Sequence, residues 1–466
     1  MRTLARSLLL PGLTALALTA TGCASTSHTG AEPAAPAPLT PSADGTSQQL
    51  DVAAAPQGEP TPAAVARSGS KGRTEKSTLK VASYDAATGR AVIAKAPPKG
   101  PSQAPSTEKS PEADKPVAAG DVIASAPAPG APNGLLAKVT EVVGKTDRGT
   151  EVKTASTTLA AVLNDDKADG KVPVDPSAVV VEPLMKGVTF SWAKSEGLKF
   201  GPEGAKLPLG NLRLDVNASV DTAPEAPASA GASVSGFVQL APQVEFSYDG
   251  SQGGGSGPRG AFLGMSGDWS SQWKLQGRAA ASTGAPKRIP FAKLHTSPVI
   301  QVGPVPVVVN LGLTCYIQVE ADGKVTLDVQ QDVKGDFKVG GSYAFGKGWT
   351  PVSSSNVKST PVQATVTAAG RVKGALGAEA SVGLYGAVGV TGDFAPYLRG
   401  EADVKATASS DGKASVSGAW ALYGGFDLSG QLQLQLSLFG TPAFERRIPL
   451  GSLNREWALA SGGTGR

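Results

Sequence analysis

The stretch "VPVVVNLGLTCYIQVEADG", residues 305–323, continues directly into "KVTLDVQQDVKGDF", residues 324–337. Both segments are strand candidates, and the Asp322-Gly323 pair between them is typical of a hairpin turn. Similar segments recur from 178 to 460, without a convincing long helix. Long strands joined by tight turns indicate large antiparallel sheets. We therefore predict an all-β chain whose main domain is an antiparallel β-sandwich or a flattened barrel.

One segment shows the strand pattern with special clarity. In "QLQLQLSLFG", residues 431–440, leucine alternates with Gln or Ser, so one face of a strand is apolar and the other is polar. Membrane insertion is disfavoured, because aromatic residues make up only 5% of the chain and form no paired girdles. We expect the leucines to pack on an opposing sheet. An apolar ligand held between the sheets is the alternative.

A smaller, mostly β domain is predicted over residues 76–165, with an exposed Pro-rich loop at 96–116. It begins with a hairpin through "DAATG", residues 85–89. The segment "STTLAAVLND", residues 156–165, predicts a short helix with Ser or Thr as its cap. Residues 117–163 resemble a module of modular bacterial surface proteins. That resemblance implies a location at the cell surface and carries no catalytic motif.

The amino-terminal end carries the most specific signal in the chain. Arg2 and Arg6 precede the apolar segment "LLLPGLTALALTA", residues 8–20, which is too short for a standard membrane span. The sequence "LTATGC" then ends at Cys23. Small residues directly before a cysteine resemble the lipobox of bacterial lipoproteins. That family usually has Leu three positions before the cysteine, where this chain has Ala20.

The lipobox resemblance implies a signal peptide over residues 1–22, cleaved between Gly22 and Cys23, and a diacylglyceryl group on the Cys23 thiol. Two acyl chains of the palmitate type give durable attachment, because each buried methylene contributes about 0.8 kcal/mol. The implied location is the extracytoplasmic face of the cell membrane. The alternative is an ordinary secretory signal with an unrelated cysteine. Residues 23–75 are rich in Ala, Pro and Ser, which predicts a disordered tether.

The composition offers little material for catalysis. The net charge is only +4 over 466 residues, which argues against a nucleic-acid binder. Cys315 lies in an apolar strand, which predicts a buried and unreactive thiol. His295 has no Cys or His partner at metal-site spacing. In "GSYAFGKG", residues 341–348, Gly348 replaces the hydroxyl residue of a phosphate-binding loop, so we predict a glycine-rich turn. We predict a non-enzymatic protein without a cofactor or metal site.

Trp269 and Trp273 are the only ligand-contact residues that the sequence suggests. They lie four residues apart in "DWSSQW", so both rings lie on one face of a strand. Exposed rings would stack on wall polysaccharide, whereas buried rings would belong to the core. We predict a lipid-anchored envelope protein with a binding or structural role, with wall polysaccharide or another envelope protein as its partner. The alternatives are a carrier of an apolar ligand and, less favoured, a wall-acting hydrolase.

Overall fold

The computed structural model of the protein places most of the chain from Ser47 onward in β-strands. The structure describes residues 47–56, 61–68, 74–96, 115–186, 188–192, 212–221, 230–250, 257–279, 285–359, 363–402, 406–409, 414–416, 419–432, 438–440, 448–449 and 453–462. Cys23, Gly22, most of the predicted loop at 96–116, and residues 433–437 of the leucine-rich segment lie outside this range. The predicted all-β class is confirmed.

Ten short elements come first along the chain: β1 (Gln49–Leu50), β2 (Val52–Ala54), β3 (Ala64–Ala66), β4 (Thr74–Lys76), β5 (Leu79–Asp85), β6 (Arg90–Lys95), β7 (Val122–Ser125), β8 (Leu135–Thr146), β9 (Gly149–Ser156) and helix α1 (Ala160–Leu163). The remaining strands are mostly longer. They are β10 (Lys167–Pro173), β11 (Val180–Pro183), β12 (Val188–Trp192), β13 (Leu212–Asp221), β14 (Ala230–Asp249), β15 (Gly260–Ala279), β16 (Lys287–Thr296), β17 (Val299–Val302), β18 (Val305–Ala344), β19 (Gly348–Ser359), β20 (Gln363–Leu384), β21 (Ala387–Ala402), β22 (Ala406–Ser409), β23 (Ala414–Val416), β24 (Trp420–Leu432), β25 (Ile448–Pro449) and β26 (Leu453–Gly462). A single 3-10 turn, Pro176–Ala178, lies between β10 and β11.

A seven-stranded sheet is built from β3 to β9 in the order β4-β3-β7-β8-β9-β6-β5. The sheet curls, because the Ala63 N–H donates to the Leu79 carbonyl at 2.8 Å and brings the start of β5 beside β3. Alternation along β3 gives the sheet two apolar faces. Val65 joins one buried cluster, with Ile123 and Val139. Ala64 faces the other way and joins α1 and the large sheet in a shared core.

Strand β18 decides the shape of the large sheet. Its first part, Val309 to Gln330, pairs with β20, and its last part, Val325 to Ala344, pairs with β15. The strand also folds back on itself. Leu313 lies in register with Ala380 and Gly392, and a Cβ built on Gly392 would lie 2.8 Å from Val339 Cγ2. Residues 313 and 339 of one strand therefore lie opposite each other, and β18 bends between them.

The bend divides the large sheet into two facing layers, which we call leaf 1 and leaf 2. Leaf 1 consists of β13, β14, β15, the last part of β18 and β19. Leaf 2 consists of β16, the first part of β18, β20, β21, β24 and β26. Among the described residues, no ladder joins the outer strands of one leaf to those of the other. The main domain is therefore an open, folded sheet with a sandwich-like interior.

The two leaves meet in an aromatic cluster near their open ends, where β18 begins and ends. Phe246 and Phe439 stack at 5.9 Å between ring centroids, and Trp349 meets Phe439 at 5.5 Å and Tyr343 at 5.6 Å. Phe246 and Phe439 are almost completely buried. Helix α1 covers this end, since the Leu159 N–H donates to the Leu438 carbonyl at 2.7 Å. The interior is thus filled at the open ends of the leaves.

Rings on one strand lie over glycine on the next strand in several places. Tyr316 is in register with Gly377, and a Cβ on Gly377 would lie 2.5 Å from Tyr316 Cε2. Tyr397 covers Gly425 in the same way, with its hydroxyl oxygen 2.5 Å from the Cβ position. Glycine leaves a gap in the sheet surface that an aromatic ring from the neighbouring strand can fill. Several strand glycines therefore serve packing rather than turns.

Three local predictions are wrong. No hairpin turn forms at Asp322-Gly323, because β18 runs without a break through both residues and keeps its ladder with β20. Helix α1 has Leu159 as its N-cap, with no side-chain cap. The leucine-rich strand does not reach Leu438, since β24 ends at Leu432 and Leu438 lies in a 3-10 turn.

Ordered structure begins earlier than composition indicates. Strands β1, β2 and β3 lie inside the stretch 23–75 that was predicted to be a disordered tether. β1 pairs in parallel with β10, and β2 pairs with β17. Ala63 and Ala64 are almost completely buried. Small residues such as alanine are typical of linkers, but here they are needed because β3 is covered on both faces. Within the described ranges, we find no helix with the length and apolarity needed to cross a membrane.

Candidate functional site

An apolar cavity of about 150 Å³ lies between the two leaves, on the bend side of the filled aromatic cluster. Leaf 1 contributes Met265, Trp269 and Phe337, and leaf 2 contributes Leu313, Ala378 and Phe394. Alternation places these side chains on the inner faces of β15, β18, β20 and β21. The small residues Ala378, Ala380 and Gly392 of leaf 2 leave room for the cavity between these larger side chains.

The contact between Val339 and Gly392 limits the cavity on the side of the open ends. A Cβ on Gly392 would lie 2.8 Å from Val339 Cγ2, so the leaves already touch there. One register step further along β20 and β21, Ala378 and Phe394 are paired and face the cavity. The leaves therefore separate just beyond their point of contact, and the gap is apolar on both sides.

One wall of the cavity is aromatic. Trp269 meets Phe394 edge to face with ring centroids 5.6 Å apart, and Phe394 meets Phe426 at 5.7 Å. Phe426 in turn contacts Trp457 at 6.5 Å. This chain of rings crosses from leaf 1 to the outer strand of leaf 2. Aromatic pairs hold their geometry more strictly than aliphatic ones, which keeps this wall rigid.

Trp269 belongs to the cavity wall, and only 7% of its surface is exposed. Its indole ring lies over Gly335, with Nε1 3.1 Å from the position that a Cβ on Gly335 would occupy. Nε1 is buried and has no hydrogen-bond partner among the residues that the structure describes. A surface platform for sugars needs an exposed ring, which Trp269 does not present. Trp273 is also a residue of β15, and its side chain lies outside the described part of the structure.

Cys315 and His295 do not form a catalytic pair. Both residues border the cavity. Cys315 is in register with Ala292 and His295 with Gly312, so alternation directs their side chains to opposite faces of the sheet. The side chain of His295 is exposed. Burial raises the pKa of the Cys315 thiol to about 12. The prediction that this thiol is buried is confirmed.

Leaf 1 carries an ion-pair cluster around Glu245, and its member Lys338 also borders the cavity. Glu245 is buried there, with Lys171 Nζ 2.8 Å from Oε1 and Lys338 paired with Oε2. Burial alone would raise the pKa of Glu245, but hydrogen bonds from Lys171, Lys338 and Ser266 outweigh it and lower the pKa to about 2. The ammonium group of Lys338 also lies 4.7 Å from the centre of the Phe262 ring.

The outer face of leaf 2 has a similar arrangement around Tyr316. The Tyr316 hydroxyl donates to Asp393, and the Arg288 guanidinium lies over the ring, 3.9 Å from its centre. Arg288 also pairs with Asp393 and, at 3.5 Å, with Glu379. Burial and the bond to Asp393 raise the pKa of Tyr316. Arg288 thus joins the Tyr316 ring and two carboxylates in one cluster, which makes it a structural element of the sheet.

Comparison with known proteins gives no relative: no family model, no curated protein and no solved structure matches the chain. Within the described residues, no cluster of His, Cys, Asp and Glu has a geometry that would hold a metal ion. The glycine-rich turn predicted at 341–348 is confirmed, with Gly346 and Gly348 at φ of 79° and 77°. Sequence reasoning identified Trp269 but missed its partners Phe394 and Ala378. The small residues Ala378 and Ala380 of β20 and Gly392 of β21 were the available signal.

Proposed function

We propose that the protein binds the end of an acyl chain, or an apolar group of similar size, in the cavity between its two leaves. It would do so as a non-enzymatic lipoprotein, anchored through Cys23 at the extracytoplasmic face of the cell membrane. The observation that carries this proposal is the apolar cavity, which both leaves line with Leu, Met, Phe, Trp and Ala side chains. Of the alternatives drawn from the sequence, the cavity favours the carrier of an apolar ligand.

The size of the cavity sets the kind of ligand. An apolar cavity of about 150 Å³ stays dry and accepts a molecule such as benzene, whereas pockets for whole drug-sized ligands have about 300–1,000 Å³. The cavity therefore suits a ring or a few methylene groups rather than a complete lipid. Four methylenes would contribute about 3 kcal/mol, which corresponds to weak and exchangeable binding.

The predicted anchor supports the same proposal. A protein attached at Cys23 would be held beside a bilayer, where acyl chains are abundant. Cys23→Ala should abolish lipid labelling of the chain, because the diacylglyceryl group has no other acceptor in the lipobox. Unchanged labelling would contradict the anchor without affecting the cavity.

Trp269 provides the assay for binding. A fatty acid with bromine on its terminal carbons quenches tryptophan fluorescence on contact, so its entry should quench Trp269. We expect saturable quenching of the full chain, and loss of the quenched component in Trp269→Phe. In Ala378→Leu the added side chain would occupy the cavity and should abolish quenching. Ala344→Leu is the matched control, because Ala344 is exposed at the end of β18.

Two results would contradict the proposal. The first is quenching that does not saturate, or that Trp269→Phe leaves unchanged, because the ligand would then contact other tryptophans. The second is equal quenching of Ala378→Leu and Ala344→Leu. The denaturation midpoint of Ala378→Leu, compared with that of the wild type, shows whether the variant still folds. We expect no decrease, since filling a cavity should not lower stability.

A further inference from the structure

The turn between β18 and β19 presents the most exposed large apolar side chain among the described residues. Phe345 is 60% exposed and lies at the open end of leaf 1. Lys347 and Arg259 are both exposed beside it. The Phe345 N–H donates to the Arg259 carbonyl at 2.8 Å, which joins the two loops at this point. An exposed aromatic residue is therefore held close to two exposed cationic residues at this end of leaf 1.

Buried residues on both sides hold the turn that carries Phe345 in place. Tyr343 and Trp349, on either side of the turn, are buried and in register across β18 and β19. Gly346 and Gly348 take φ values of 79° and 77°, which ordinary side chains rarely adopt. A Cβ on Gly346 would meet nothing within 4 Å. The backbone therefore holds Phe345 outward without help from its own side chain.

The chain leading from Cys23 enters the fold at the same end of leaf 1. The Gln48 N–H donates to Asp166 at 2.9 Å, and Gln49 pairs with Lys167. Lys167 is in register with Asp249, which is in register with Gly260, the partner of Ala344. Four strand spacings of about 4.8 Å separate the entry point from the turn, or about 19 Å.

The length of the connection fits a membrane beside this corner. Ser47 follows Cys23 by 24 residues (47 minus 23), which can span at most about 80 Å. A flexible chain of 24 residues has an average end-to-end distance of about 27 Å. The entry point, and Phe345 with it, would then stay close to the bilayer that holds Cys23.

We propose that the Phe345 turn inserts into the interface of an anionic lipid bilayer, with Arg259 and Lys347 against the headgroups. An apolar ring enters the boundary of the acyl region, and each cation near an anionic surface favours binding by about 1 kcal/mol, or about fivefold. The inference rests on the proposed function for its anchor at Cys23. It adds an orientation, because the open end of leaf 1 then faces the membrane.

A fluorescent label on the turn tests the proposal. In full-length Phe345→Cys, the introduced thiol is the accessible one, because Cys315 is buried and Cys23 is expected to be acylated. We would attach nitrobenzoxadiazole and add vesicles of phosphatidylcholine with or without phosphatidylglycerol. The matched control is Val180→Cys, at a residue of β11 that is 54% exposed and lies beside leaf 2, in register through His295 with Gly312. A second arm carries Cys23→Ser, so that no acyl anchor forms.

We expect the label at residue 345 to shift its emission to shorter wavelength and to be quenched by nitroxide-bearing lipids, more strongly with phosphatidylglycerol. The label at residue 180 should show neither effect. Arg259→Gln combined with Lys347→Gln should raise the required anionic lipid about thirtyfold, from two cations at about fivefold each. The inference would be overturned if the emission wavelength of the label at residue 345 stayed the same with and without vesicles in both arms. It would also be overturned if the labels at residues 180 and 345 were quenched equally.

The outcome separates this inference from the proposed function. The label at residue 345 could respond in the Cys23→Ser arm while the wild-type chain takes up no lipid label. That result would contradict the anchor at Cys23 and support the membrane contact at Phe345. Saturable quenching of Trp269 without any response at residue 345 would support ligand binding in the cavity and contradict the membrane contact.

Discussion

Replacing Gly377 by Ala should destabilise leaf 2 through the ring of Tyr316. The new Cβ would lie 2.5 Å from Tyr316 Cε2, whereas ordinary contact begins at 3.4 Å, so the ring must move by about 1 Å. Such a shift breaks the hydrogen bond to Asp393 and disturbs the stacking of Arg288. Overpacking costs about 1–3 kcal/mol and the lost bond to a charged group about 1.5–3 kcal/mol.

The gain from replacing a strand glycine by alanine is only about 0.5–1 kcal/mol. The net loss should therefore be about 3 kcal/mol, a large part of a total stability of about 5–15 kcal/mol. The measurement is denaturant unfolding of Gly377→Ala, of Tyr316→Ala and of the double variant. In the Tyr316→Ala background, Gly377→Ala should cost nothing, because no ring occupies the gap.

The control is Gly144→Ala in β8, where a Cβ would meet nothing within 4 Å. It should be neutral or slightly stabilising. The reasoning fails if Gly377→Ala is as harmless as Gly144→Ala. It fails equally if Gly377→Ala costs the same with and without the Tyr316 ring, since the loss would then have another origin.

Three further predictions concern single groups. Because the pKa of Glu245 falls from 4.5 to about 2 on folding, its contribution, at most about 3 kcal/mol, is complete above pH 4.5 and is lost as the pH falls towards 2. The stability difference between wild type and Glu245→Gln, followed by denaturation across pH, should shrink over that range. In Cys23→Ser, Cys315 should react with a thiol reagent at neutral pH only when the protein is unfolded, and fast reaction in the folded state would contradict its burial. Gly89, at φ 67°, should accept Asn with less loss of thermal stability than Val, because Asn tolerates the left-handed region.

The all-β class could be predicted because strand alternation is a local signal. In β18, odd-numbered residues such as Leu313 and Cys315 face the interior and Tyr316 faces the other way. The fold of the sheet upon itself could not be predicted, because Asp322-Gly323 reads as a hairpin in isolation. The neighbouring strand β20 prevents the turn, because it pairs with β18 residues both before and after Asp322-Gly323.

The cavity escaped prediction for a related reason. Ala378 and Phe394 are unremarkable in their own strands, and only the bend of β18 brings them opposite Trp269. Trp269 itself could be selected because it lies four residues before Trp273, which predicts two rings on one face of a strand. Whether the Trp269 side chain is buried depends on which face of β15 packs against the other leaf. The strands of leaf 2, which are distant in sequence, determine that face.

The sharing of β18 between the two leaves has a consequence for how this sequence can change in length. Removing one residue shifts a strand's side chains to the opposite face. A deletion between residues 320 and 330 would leave one leaf with its apolar face inward and turn the other outward. The ladders to β15 and β20 run past that point, so the neighbouring strands would need the same deletion. Insertions and deletions in homologues should therefore fall in the connections, and a change of length at the bend should occur in adjacent strands together.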